Sequence, residues 1–279
     1  MFEQIYSPRW LIKNPRYGYL LGLVFAIFGI FSAKLIFGSN PGMMSVAFTS
    51  ILIMPLLNSI LSKTESKEIR EKKFSIYLLF KDHGDIFRIY TYIFLGIMTT
   101  YAFFTLVWSS TFSIGMFGPQ LKVAGFAGGA FQASRFSSIL LNNMIVLLVC
   151  FLLSFFYGAG SILFISWNAS VWGSVFGYLA RQSAVTTNAN PFLCFITLII
   201  PVLPHLITEA ASYFSAAIVG GVVSKAVIKE KWMSRKFQHV LTDAMLFFLM
   251  AAVLVVIAAY IEVHMFPWLR SSFGLPRLC

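Results

Sequence analysis

Long apolar runs, separated by short polar or glycine-rich breaks, dominate the chain. Tyr17 to Gly38 is the first, with Lys34 near its far end, where a long side chain can reach the interface. Ser39-Asn40-Pro41-Gly42 reads as a tight turn, and Met43 to Leu61 returns as a second run that Pro55 should kink. Ile86 to Trp108 is the third run. Ser137 to Tyr157 and Gly160 to Ala180 are the fourth and fifth, joined through Gly158-Ala159-Gly160 so directly that they must fold back as an antiparallel hairpin. Residues 191–228 make a sixth run and residues 241–268 the last. Runs of about 20 apolar residues match a hydrocarbon layer about 30 Å thick when helical.

Three stretches break this rhythm. Residues 62–85 open with Glu65, Glu68 and Glu71 beside Lys67, Lys72 and Lys73, a spacing that supports an exposed helix. Phe74, Tyr77, Leu78 and Phe80 then give it an apolar side suited to a membrane surface. Residues 109–136, with GFAGGAF at 125–131, are too apolar for a solvated loop and are expected at the interface or folded back onto the bundle. As one straight helix, residues 191–228 would reach about 57 Å, nearly twice the hydrocarbon thickness. Pro201 and Pro204 are therefore expected to divide them into a short helix and a longer one.

Composition sets the class. Hydrophobic residues make up 58% of the 279 positions and charged residues 11%, against about 25% charged in soluble domains. The expected fold is all-α: a polytopic integral membrane helix bundle of about seven spans, with a proline-broken segment near 201–204. Four regions follow: an N-terminal transmembrane hairpin (1–61), a cytoplasmic amphipathic segment (62–85), a core (86–228), and a C-terminal span with its tail (229–279). The net charge of +11 does not indicate nucleic acid, because most Lys and Arg lie between spans, where anionic headgroups would meet them. If the N-terminus is cytoplasmic and 191–228 crosses once, inside segments hold fifteen Lys and Arg and outside segments five. That bias places the protein in the cell membrane with its C-terminus outside. Cys150, Cys194 and Cys279 show no metal-ligand spacing and imply no disulfide framework.

A polar set interrupts the later runs: Asn142, Asn143, Asn168, His205 and Glu209. Asn142 and Asn143 are about 100° apart on a helix, so one can face a neighbour while the other turns aside. Entering from residue 191, His205 would lie about 21 Å deep along a helical path, comparable to Asn168. Glu209 follows His205 by one turn on the same face. An intramembrane Glu must be protonated, paired or wetted. The asparagines read first as interhelical hydrogen-bonding groups; His205 with Glu209 reads as a functional pair, with packing as the alternative. Gly158 and Gly160 shape the hairpin, and Gly173 with Gly177 forms a G-x-x-x-G packing face. A zinc site needs three protein ligands and a base, yet only four His exist, without H-E-x-x-H spacing. Neither a metal nor a cofactor is expected. Ser166 and Ser170 flank Asn168 and leave a Ser/His hydrolase as a remote alternative.

The stretches FSSILLNNMIVLLVCFLLSFFYGAGSILFISWNASVWGSVFG (136–177) and LPHLITEAASYFSAAIVGG (203–221) resemble the stage II sporulation protein M family. Asn142, Asn143, Gly158, Gly160, Asn168, Gly173, Pro204, His205 and Glu209 fall in the family's motif positions. Leu206 stands where the family pattern has Gly. The likeness covers roughly 80–225, and the hairpin before it looks like the extension of archaeal members. The resemblance implies a scaffold or membrane-remodelling component that recruits partners and has no catalysis of its own. Expected partners are membrane lipids and other membrane or envelope proteins, with a homo-oligomer as a further option and no nucleic acid. A transporter or channel-like subunit using His205 and Glu209 is the alternative, since broken helices often line substrate sites.

Overall fold

A computed structural model describes residues 8–38, 41–68, 76–123, 135–231 and 234–265. They are helical, with no strand among them. The helices are α1 (Pro8–Lys13), α2 (Tyr17–Ile36), α3 (Gly42–Glu68), α4 (Ile76–Val107), α5 (Ser110–Val123), α6 (Arg135–Tyr157), α7 (Ile162–Thr187), α8 (Pro191–Ile199), α9 (Leu203–Lys229) and α10 (Arg235–Tyr260). Seven segments are long and apolar enough to cross a membrane: α2, α3, α4, α6, α7, α8 with α9, and α10. The chain is a multi-pass helical membrane bundle.

Local sequence accounts for the boundaries. Asn188, in the left-handed conformation at φ 55°, ends α7. Asn190 then caps α8 by accepting from the Phe192 amide at 2.9 Å, with Pro191 at the first helical position. Ser234 caps α10 by accepting from the Phe237 amide at 3.2 Å. Between α8 and α9, Ile200–Val202 forms one 3₁₀ turn. The two prolines lack amide protons, so the chain tightens there and continues in the same sense. Residues 191–228 thus form one continuous helical path and a single candidate span. By contrast, α3 runs on through Pro55.

Packing is centred on α4, where 67% of the span is buried, against 22% for the peripheral α6. Glycines bring backbones together. Gly22 lies against the Ile93 carbonyl and Gly96 against the Tyr19 carbonyl, so α2 and α4 run in the same direction in close contact. Gly173 and Gly177 set α7 against Met98, Tyr101, Ala102 and Thr105 of α4. At the α6–α7 hairpin Gly158 has φ +66°, a conformation that favours glycine, and the Ala159 amide donates to Asn58 Oδ1 at 2.8 Å. The N-terminal hairpin is part of the bundle: its buried Ile30, Val46, Ile53 and Leu57 join one cluster with residues of α4, α7 and α9.

Two breaks in the sequence pattern take definite form. The described parts of 62–85 are the end of α3 and the beginning of α4, with no helix of their own; 69–75 lie outside the described residues. In the 109–136 connection, α5 folds back onto α7 and α3. It bends at Phe117 (φ −119°), two residues before Pro119, and buries Gln120, whose Nε2 donates to the Gly42 carbonyl at 2.9 Å. The GFAGGAF stretch and the tail beyond Met265 also lie outside the described residues.

Candidate functional site

On α9, His205, Glu209 and Tyr213 recur at four-residue intervals and form one polar stripe. His205 Nε2 lies 2.8 Å from Glu209 Oε2, and Tyr213 donates its hydroxyl proton to Glu209 Oε1 at 2.7 Å. His205 Nδ1 lies 3.1 Å from the carbonyl of Ala258 on α10. A second carboxylate, Glu262 in the π-helical turn Ile261–Met265 that extends α10, stands 3.5 Å from His205 Nε2. Both ring nitrogens therefore face acceptors, the pattern satisfied by an imidazole that donates from both. The side chains of His205 and Glu209 are only 10% and 8% exposed. Each oxygen of Glu209 has a donor at short range, which is how an apolar bundle can hold a carboxylate at this depth.

The local fold explains this convergence. The clusters Leu147–Cys150 with Tyr213–Ala216, and Phe151–Phe155 with Val219–Val223, show α6 and α9 running in parallel. Ala251 and Val255 pack with Tyr213, and Ala244 and Phe247 pack with Val219, so α10 runs antiparallel to both. The far end of α10 therefore returns to the level of His205 and delivers Glu262.

The asparagines divide. Gly220 lies against Phe151 and Ser154; three turns back along both helices, Glu209 and Asn143 fall at one level. Asn143 is buried and accepts from Asn142 Nδ2 at 3.2 Å, while Asn142 is exposed. Asn168 does not bond to the His205–Glu209 pair. Its amide donates to the Phe164 carbonyl of its own helix at 2.8 Å, one turn from where Phe164 packs on the Tyr213 cluster. Asn168, expected at a depth comparable to His205 and as a group bonding between helices, bonds instead within its own helix.

Sequence reasoning missed Tyr213 and Glu262. The H-x-x-x-E-x-x-x-Y spacing carried a signal for the first. Glu262 could be linked to His205 only by knowing that α10 returns beside α9.

Other candidates are placed elsewhere. Ser170 donates to the Trp167 carbonyl at 2.7 Å, and Ser166 Oγ is buried without a hydrogen-bond partner, so neither forms a dyad with His205. His239 lies 3.5 Å from Asp243, and His264 stacks on Tyr260. Among the described residues no group of three or more His, Cys, Asp and Glu is placed to hold a metal ion. Cys150 is free and buried, and Cys194 is buried against Leu106, Ala180 and Ala184.

No family model, no curated protein and no solved structure matches the chain.

Proposed function

We propose that this chain is a non-enzymatic membrane scaffold or membrane-remodelling component that recruits partner proteins. The observation that carries the reading is the internal pairing of the polar cluster. His205 and Glu209, 10% and 8% exposed, are held by Tyr213, Ala258 and one another, and the cluster reaches the surface through Glu262, whose side chain is 30% exposed. A general acid, base or carrier needs a face open to its substrate or proton. Here the polar groups act on their own bundle, locking α10 onto α9 and presenting a fixed outer surface.

The likeness of the polar and glycine motif to the stage II sporulation protein M family supports the same reading, with the N-terminal hairpin as the extension of an archaeal-type member. The proposed orientation has the N-terminus cytoplasmic and the C-terminus outside the cell membrane. It is supported by fifteen Lys and Arg against five. Purification of the tagged chain at native expression in mild detergent, read by quantitative mass spectrometry, should return a stoichiometric membrane or envelope partner. Recovery of the chain alone overturns the proposal.

One observation favours a second reading, a transporter or channel-like subunit. The 3₁₀ turn at Ile200–Val202 lies one turn before His205, and interrupted helices often flank ion sites. Proton-coupled flux in liposomes, abolished by His205→Ala or Glu209→Gln, is its required result; flux unchanged in both variants sinks it.

A further inference from the structure

The ends of α2 and α4 at which their spans begin form a basic cleft that the scaffold reading does not use. Tyr17 and Gly84 open these spans. Since Gly18, Gly22 and Gly96 draw the two helices together in parallel, their first turns lie side by side. Lys13, Asn14, Pro15 and Arg16 there face Arg88 and Tyr92 across a cleft of about 390 Å³. Among the described residues, the Asp85 carboxylate stands 3.8 Å from Arg88, whose side chain is 70% exposed. That separation is too long and too wet to occupy the guanidinium. Arg16 also rests 5.6 Å over the Tyr17 ring, which leaves its hydrogen-bond donors free to turn into the cleft. Among the described residues, three cations thus line this cleft, with the Asp85 carboxylate loosely held at its rim.

The adjoining surface says which anion fits. Arg88 and Leu95 are seven residues apart and lie on one stripe of α4. Leu95 lines an apolar groove of about 350 Å³ with Phe87, Phe94, Trp172, Leu206 and Phe214. A phosphate in the cleft would therefore have an apolar track running from it into the membrane. A soluble phosphate ester would use only the first half of this surface. We propose that the cleft binds the phosphate headgroup of an anionic membrane phospholipid, with an acyl chain lying along α4 toward the groove at Leu95.

Native mass spectrometry of the full chain tests this, with micelles containing equal phosphatidylglycerol and phosphatidylcholine of matched chains. The wild type should retain phosphatidylglycerol in preference. Each neutralised cation should weaken retention about fivefold, so Lys13→Gln with Arg88→Gln should weaken it more than tenfold. Arg88→Lys, which keeps the charge, should retain the lipid, as should the pair Lys34→Gln and Lys122→Gln at the other end of the bundle. Equal retention of the two lipids by the wild type overturns the proposal and needs no variant to fold. So does an equal loss in the Lys34/Lys122 control. Displacement of phosphatidylglycerol by millimolar glycerol 3-phosphate would overturn the lipid in favour of a soluble phosphate ester.

Discussion

Glu209 shows what a single residue costs in this bundle and how the cost is offset. Removing one partner of a buried charge pair leaves the other uncompensated, at roughly 3–5 kcal/mol. His205→Ala is therefore expected to destabilise the protein by that order, and Tyr213→Phe by about 1.5–3 kcal/mol, the range for a hydrogen bond to a charged group. Asn168→Ala should cost about 1 kcal/mol or less, because its amide bonds only to a carbonyl of its own helix. Reversible unfolding in mixed micelles measures all three. An Asn168 effect as large as that of His205 would show that the asparagine belongs to the cluster after all. The contrast also marks how far the site was legible in the sequence. His205 and Glu209 stand out as ionisable groups one turn apart in a proline-broken apolar run. Tyr213 is one of 11 tyrosines and carries no such contrast. Asn168 misled because a short amide side chain can satisfy itself against its own helix.

Among the elements, backbone contact is what the glycines permit, and it is specific to position. A Cβ at Gly22 would meet the Ile93 carbonyl, whereas one at Gly38 would meet nothing within 4 Å. Gly22→Val should therefore lower the thermal midpoint by several degrees, and Gly38→Ala should leave it unchanged, when monodispersity in detergent is followed against temperature. Asn58→Ala removes the acceptor for the Ala159 amide and should cost about 1 kcal/mol; a neutral result would mean that water replaces it at the hairpin. The seven spans were legible because charge, proline and glycine punctuate long apolar runs. The α5 helix was not, since Gly, Ser and Phe between 109 and 136 give no clear period and its stability comes from docking on α7 and α3. The 62–85 charges do favour a helix, but sequence alone does not say that it belongs to the ends of α3 and α4.

At the scale of the whole molecule, seven candidate spans, if each crosses once, put Tyr17 and His264 on opposite membrane faces. The fifteen-to-five distribution of Lys and Arg is the support for the proposed orientation. Three of those fifteen, Lys13, Arg16 and Arg88, gather in the basic cleft at the end where α2 and α4 begin their spans. In the proposed orientation that end meets the anionic inner leaflet, where each cation near the surface contributes about 1 kcal/mol. In the reverse orientation the same three charges would have to be carried across. Single cysteines, introduced on a background whose native cysteines are serine, decide between the two. With a membrane-impermeant maleimide on intact cells, Gly38→Cys should label at once, and Glu230→Cys only after permeabilisation. The opposite pattern would reverse the orientation and move the lipid cleft to the outer leaflet. Labelling of both sites from outside would mean an even number of crossings between them, and would remove one of the spans between α3 and α9 from the membrane.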